Sequence, residues 1–205
     1  SHFWKEDLFG QIEIGGINVP IPNEELSGDC WTIEPLGNRY RVFLADGLGH
    51  GKAASDAAIT AVTLFRKNKT MRLEDLVYLI HQGLMSTRGV VLSILEIDQD
   101  RGKLLHIGVG NISTRIINSE TQKTLLSSNG TVGVNIYKTY INEIDINKES
   151  IIIIHSDGIN EHWNQKEIFR LWNHHPAVIS GWLYHQYGRP RDDASCVVIK
   201  IHDRG

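Results

Sequence analysis

A single α+β domain built mainly from antiparallel strands is the fold class the sequence predicts, and three observations predict it. Apolar residues recur at three- and four-residue spacing between residues 52 and 85, the period of helices packed on one face. Downstream, β-branched runs are separated by Asp/Gly/Asn turns, which suits antiparallel meanders. The chain has 205 residues, 41% of them apolar, with mixed charge, enough for one globule with a sizeable core.

Taken in order, residues 3–27 hold Gly15-Gly16 and the Pro20 and Pro22 pair, which read as turns around short extended pieces, so regular structure is expected from near Ser27. Arg39 to Ala45 reads as a buried strand that ends at Asp46 and runs straight into a glycine-rich turn. From Lys52, the residues Ala54, Ala57, Ala58, Ala61, Val62 and Phe65 mark one face of a helix whose many alanines suit close packing on a sheet. A second helix is expected from Leu73 to Met85, with Thr70 as its N-cap. Strands follow at Val90–Ile97, Lys103–Val109, Ser113–Asn118 and Tyr140–Ile146. Ile151 to Ile154 is apolar without alternation and should be buried on both faces. Glu161 to Trp172 and Pro176 to Tyr187 read as helices, or as a helix and a loop, and Ala194 to His202 as a closing strand. No repeat or internal boundary interrupts this, so residues 1–205 read as one domain, with Ser1-His2 as a tag scar because the first methionine is Met71.

Composition removes several function classes. The formal net charge is −3 and no Lys/Arg cluster forms a reading face for nucleic acid. No apolar run approaches the roughly 20 residues a membrane-spanning helix needs, and no stretch resembles a signal peptide. Cys30 and Cys196 read as small half-buried strand residues rather than a disulfide or a catalytic thiol. A reduced cytoplasmic setting is the expectation.

The informative feature is a set of four separated acidic motifs: Ser27-Gly28-Asp29, Ala45-Asp46-Gly47-Leu48-Gly49-His50-Gly51, His155-Ser156-Asp157-Gly158 and Arg191-Asp192-Asp193-Ala194-Ser195. Each borders an apolar run. A carboxylate at a strand end is aimed at one point while the strand stays in the core, and several that converge make an oxygen-rich site for Mg²⁺ or Mn²⁺. Asp46 is placed to bridge two cations, and Gly47, lacking a Cβ, lets its carbonyl approach one of them. Asp157-Gly158 repeats this logic. One Asp-Gly pair is ordinary turn chemistry; two of them, each after a buried strand and joined by Asp29 and Asp192, point to metal. Phosphate-loop readings of residues 39–66 fail on spacing. Gly51-Lys52 is followed by Ala53 rather than Ser or Thr, and Lys52 stands where a dinucleotide fingerprint needs its third glycine or alanine. His50 is a candidate general acid, although a turn histidine bonded to its own loop is the preferred reading. His155 reads as a core histidine, and His174, His175 and His185 lack partners at zinc spacing. Trp163, Trp172 and Trp182 read as packing residues.

Asp-Gly-Leu-Gly-His-Gly before an alanine-rich helix, then Ser-Asp-Gly-Ile-Asn-Glu, then Asp-Asp-Ala-Ser leading into a last strand, together resemble the SpoIIE-type branch of the metal-dependent type 2C serine/threonine phosphatases, over residues 28–202. Arg88-Gly89 and Val109-Gly110-Asn111 also resemble small stand-alone members of sigma-factor stress pathways. The resemblance implies a sandwich of two central, mostly antiparallel sheets flanked by helices, with two Mn²⁺ or Mg²⁺ ions at one end. It implies that Asp46 bridges both ions, that the Gly47 carbonyl binds the second, and that Asp157 and Asp192 complete the first. Asp29 would contact metal directly or through water. Asp193 is the weaker half of its pair, because neighbouring strand residues face opposite ways. The implied chemistry is hydrolysis of phosphoserine or phosphothreonine by metal-activated water, without a phosphoenzyme. The implied partner is a phosphorylated STAS-type regulatory protein in a partner-switching pathway, and Glu161–Tyr187 is the segment expected to select it. A binding module without turnover and a hydrolase of small phosphoesters stay as alternatives.

Overall fold

A computed structural model describes residues 6–8, 12–146 and 149–202, so the expected scar at residues 1–2 lies outside the described residues. The chain runs β1 (Glu6–Leu8), β2 (Ile12–Val19), β3 (Asp29–Leu36), β4 (Arg39–Gly47), α1 (Lys52–Lys67), α2 (Leu73–Leu84), β5 (Val90–Asp98), β6 (Lys103–Val109), β7 (Ser113–Ile117), β8 (Gln122–Thr124), β9 (Gly130–Thr131), β10 (Asn135–Ile136), β11 (Asn142–Asp145), β12 (Ser150–His155), α3 (Gln165–Phe169), α4 (Pro176–Tyr187) and β13 (Ala194–Ile201). One sheet has the order β1-β2-β13-β12-β7-β8, the other β11-β6-β5-β4-β3, and a short β9–β10 hairpin stands apart. Adjacent strands in both sheets are antiparallel.

Alternation along the central strands divides the core into three layers. In β4, Phe43 and Ala45 face α1 and α2, where they meet Ala57, Ala61, Phe65 and Ile80. Val42 and Leu44 face the other way and meet Ile152, Ile154, Val197 and Ile199 of the second sheet. The far side of that sheet, with Ile151, Ile153 and Val198, packs on Ile168 of α3 and on Ile179 and Leu183 of α4. The result is helices, sheet, sheet, helices, the sandwich expected. β12 is buried along its whole length because both its faces are covered. The alanines of α1 let its axis approach the sheet, and Phe43 stacks on Phe65 with ring centroids 4.7 Å apart. A buried ion pair, Arg41 Nε to Glu96 at 2.6 Å, holds the α1–α2 turn as well, since Arg41 also donates to the Met71 carbonyl at 2.7 Å. Among the described residues no helix is long and apolar enough to cross a membrane.

Several local expectations are corrected. Gly15-Gly16 is not a turn but the middle of β2, a strand in the sheet's interior between β1 and β13. A Cβ on Gly15 would stand 2.4 Å from the Ala177 nitrogen, and one on Gly16 would stand 2.8 Å from both the Cys196 carbonyl oxygen and the Trp31 ring. The glycines are there because α4 and Trp31 press on the strand. Regular structure therefore begins well before Ser27. The strand expected at Cys30 extends from Asp29 to Leu36; as the edge strand of its sheet it tolerates Pro35. Thr70 does not cap α2, whose N-cap is Arg72 without a side-chain bond; Glu74 and Asp75 in the first turn face the helix dipole instead. The expected helix at Glu161–Trp172 contracts to α3, capped by Asn164, whose side chain accepts from the Glu167 N–H. The run of expected meander strands divides, because β7 crosses to the other sheet beside β12. Cys30 and Cys196 are unpaired strand residues as expected, with Cys196 fully buried.

Replacing Gly15 by Val should destabilise the fold by about 1–3 kcal/mol, the usual range for forced overpacking. Urea unfolding followed by circular dichroism measures this; an unchanged midpoint would mean α4 is not held against β2.

Candidate metal centre

Asp29 opens β3 and Asp46 lies near the end of β4, and the register makes them direct cross-strand partners. Antiparallel pairing thus sets two carboxylates side by side on one face, an arrangement that is unfavourable while both are ionised. Asp157 follows β12 and Asp192 precedes β13, two neighbouring strands of the other sheet. Both sheets therefore deliver acids to the same end of the sandwich. A cleft of about 420 Å³ opens there, lined among others by Asp46, Gly47, His50, Asn111, Asp157 and Asp192.

The Ser156 hydroxyl joins the two sheets. It donates to Asp29 Oδ2 at 2.6 Å and accepts from the Ser195 N–H at 3.0 Å. Asn111 donates to Asp157 Oδ2 at 2.9 Å. Asp193 makes contacts of its own. Its Oδ1 accepts from the Ile21 N–H at 2.8 Å and its Oδ2 from the Gly28 N–H at 2.9 Å, so both oxygens orient the chain that leads into Asp29.

Glycines make the convergence possible. A Cβ on Gly158 would stand 1.9 Å from the Asp193 carbonyl oxygen, so only glycine lets the Asp157 turn lie against the Asp192–Asp193 turn. Arg189 N–H donates to the Gly158 carbonyl at 2.7 Å and closes that contact. A Cβ on Gly47 would stand 2.2 Å from the Ala54 carbonyl oxygen. The close approach of α1 thus requires glycine at position 47, a reason separate from any access of its carbonyl to a cation.

The histidines sort by position. His50 is on the cleft rim, its side chain 66% exposed, with Nδ1 3.3 Å from Glu24 Oε1. His155 is buried and its Nδ1 bonds to the Ser156 carbonyl at 2.9 Å; burial holds it below the usual imidazole range. His175 caps α4, accepting from the Ala177 N–H at 3.2 Å. Trp163 is core, with Arg115 4.4 Å over its ring. None of Glu161–Tyr187 lines the cleft; its Tyr187 end is tied back to the Asp157 turn, where Asn160 N–H donates to the Tyr187 carbonyl at 2.8 Å. Trp172 and His174 lie beside His202 and Lys200, at the other end of β13 from Asp192.

Burial and mutual repulsion disfavour ionisation of the cleft's acids. Burial first, then the charges of Asp29, Asp157 and Asp192, push Asp46 up to about 9. Burial raises Asp29 to about 7, with Asp193 and Asp157 adding to it and the Ser156 hydroxyl opposing. Asp192 is raised by burial and then by Asp157. Asp29 Oδ1 is buried without a hydrogen-bond partner. Among the described residues no three His, Cys, Asp or Glu side chains stand close enough together to hold an ion as placed. The donor set nonetheless fits a hard cation: it is all oxygen, held at strand ends, and includes an unsatisfied buried carboxylate atom.

These shifts set a pH dependence for the metal-free protein. A carboxylate whose folded pKa is raised binds more protons folded than unfolded, so stability falls as pH rises from the ordinary 3.8 towards about 7 for Asp29 and about 9 for Asp46. Thermal melts in chelator from pH 4 to 9 should show a falling Tm, and Asp46→Asn should flatten the slope. A rising Tm across that window would contradict the crowding of these acids.

The Stage II sporulation protein E (SpoIIE) family matches residues 37–202. No curated protein matches the chain. Among solved structures, a chain from work on the bacterial stressosome is 25% identical with a TM-score of 0.87, covering 93% of this chain and 100% of that one. RsbX in complex with magnesium is 22% identical, with a TM-score of 0.85 and coverage of 98% and 100%. The PP2C phosphatase domain of SpoIIE from Bacillus subtilis, with a fragment of its regulatory domain, is 20% identical, with a TM-score of 0.79 and coverage of 94% of this chain and 64% of that one. The two-sheet sandwich is the PP2C fold, and with the family match spanning most of its length the chain belongs to the SpoIIE family of PP2C phosphatase domains.

Proposed function

We propose that this chain is a Mn²⁺- or Mg²⁺-dependent protein serine/threonine phosphatase acting on a phosphorylated regulatory protein of the STAS type in a partner-switching stress pathway. The observation that carries the metal-dependent part is the gathering of Asp29, Asp46, Asp157 and Asp192 at one cleft, where none has a Lys or Arg ion-pair partner among the described residues. Membership of the SpoIIE family supports the reaction class. Likeness to RsbX and to the stressosome chain supports the pathway and the partner class.

In this reading Asp46, the Gly47 carbonyl, Asp157 and Asp192 would hold two cations between them, with Asp29 as a further donor, directly or through water. Cations bound there would acidify a water and offset charge on the phosphoryl oxygens. The chain's own contribution is positional. Ser156 occupies Asp29 Oδ2 and leaves Oδ1 to a ligand, and Asn111 occupies Asp157 Oδ2 and leaves the other oxygen. These outer contacts aim the donors and limit their rotation. Asp193 holds Gly28 and thereby the start of β3.

Mn²⁺-dependent phosphate release from phosphoserine proteins tests the proposal. Asp46→Asn, Asp157→Asn and Asp192→Asn should each reduce kcat/KM by more than about a hundredfold, and Ser156→Ala by roughly 10- to 100-fold, the range for groups that orient metal ligands. Circular dichroism should show all four folded. Full activity in folded Asp157→Asn protein would remove the metal centre from the reaction.

Mn²⁺ should also raise the Tm and chelator should reverse the rise, since ions that bind only the folded state stabilise it. A melting curve unchanged at saturating Mn²⁺, with no heat of binding, would favour a binding module instead.

A further inference from the structure

The rim of the cleft is uneven. Asn111, Asp157, Arg191 and Asp192 make part of it polar. Beside α2 and the β9–β10 hairpin it continues into an apolar surface formed by Met85, 66% exposed, Val134, 60% exposed, and Leu48, 39% exposed. Contacts made by Leu48, by Val134 and by Leu84, the neighbour of Met85, place the three in one region. Leu48 donates its N–H to the Gly89 carbonyl at 3.1 Å. Val134 Cγ2 stands 3.0 Å from the position of a Cβ on Gly89, and a Cβ on Gly133 would stand 2.8 Å from Leu84 Cβ at the end of α2. Leu48 and Thr131 line the cleft itself, so the surface is continuous with it. Arg88 stands at the junction: a guanidinium nitrogen lies 2.9 Å from where a Gly49 Cβ would be. Its side chain is exposed and has no ion-pair partner among the described residues.

We propose that this rim is the docking surface for the protein substrate, and that its occupant is a segment bearing a phosphoserine flanked by apolar side chains. The inference rests on the phosphoprotein phosphatase reading and adds the substrate's local chemistry. A peptide whose phosphate enters the cleft must cross its edge. The edge at Met85 and Val134 offers it exposed apolar side chains close to the cleft. The unpaired Arg88 guanidinium complements the phosphoester dianion at the point where the chain turns into the cleft. Truncating large side chains at such a contact removes binding energy that hydrolysis of a small ester never uses.

The test compares two synthetic phosphoserine peptides of equal length and charge, one with Leu and Phe beside the phosphoserine and one with Ser and Asn, together with an aryl phosphate, all with Mn²⁺. The wild-type protein should favour the apolar peptide about tenfold or more in kcat/KM, roughly what burying a side chain or two contributes. The double variant Met85→Ser, Val134→Ser should lose that preference while its aryl phosphate turnover and Tm stay within about twofold and a few degrees of wild type. Equal turnover of both peptides by wild type would overturn the docking surface and leave the phosphatase reading intact. Turnover of neither peptide nor the aryl phosphate would overturn the phosphatase reading itself. Equal loss on aryl phosphate and peptide in the variant would place the effect in the cleft and overturn the docking role. A concentration-dependent dimer in sedimentation that the double variant abolishes would assign this face to a second copy of the chain, and would likewise overturn it.

Discussion

Four carboxylates crowded at one end of two sheets are the constraint on which the remaining architecture depends. Asp29 and Asp46 are opposite one another because β3 and β4 pair in that register. Asp157 and Asp192 are neighbours because β12 and β13 pair in theirs. Desolvation and mutual repulsion in such a cluster disfavour the ionised form, and Asp46 is driven to about 9 accordingly. Something must hold the acids in place against that repulsion. The three apolar layers do so at a distance, by burying β4, β12 and β13, at whose ends Asp46, Asp157 and Asp192 stand, along nearly their whole length.

At close range the restraint is a chain of polar contacts that runs through all four motifs. Asp193 accepts from the Gly28 N–H, the Gly28 carbonyl accepts from the Gly47 N–H, and the Leu48 N–H continues to the Gly89 carbonyl. Ser156 closes the circuit between Asp29 and the Ser195 backbone. Close packing takes the place of further bonds where none is available, as at Gly158 against Asp193 and Gly47 against Ala54. The glycine of each Asp-Gly pair is therefore set by the backbone that presses on it.

Much of this was legible in the residues, for identifiable reasons. Helix α1 announced itself through Ala54, Ala57, Ala58, Ala61 and Phe65, because a helix packed on one face must repeat its small side chains at that spacing. The bounds of α4 and β6 matched the reading, since Pro176 begins one and an Asp/Gly turn precedes the other. Strand β2 was hidden because the contacts that demand Gly15 and Gly16 come from Ala177, Trp31 and Cys196, and locally the pair looks like a turn. The division into two sheets could not be read from alternation, which is the same in either sheet; it followed only from the resemblance. At the site, strand parity ranked Asp192 above Asp193, and Asp193 accepts from two backbone N–H groups. Ser156 was adjacent to a chosen residue, yet its partner Asp29 lies 127 positions away and nothing local pairs them.

The same separation between local pattern and long-range contact decides how the cleft communicates with the rest of the molecule. Glu161–Tyr187 attracted attention as a partner-selecting segment because it joins two acidic motifs in sequence. In space its middle lies at Lys200 and His202, six or more residues along β13 from Ala194, or about 20 Å at strand spacing. Sequence adjacency to two acidic motifs thus gives most of that segment no direct hold on either. The α1–α2 layer stands in a different relation to the site. Ala54 of α1 rests on Gly47, and the loop after α2 accepts the Leu48 N–H through Gly89. A displacement of either helix end by even a fraction of an ångström must be absorbed at Gly47 and Leu48, since a packed contact with no room for a Cβ has no slack to absorb it elsewhere. Of the two helical layers, the one over β4 is therefore mechanically continuous with the acidic cleft, and the one over β13 is tied to it only at the Tyr187 end.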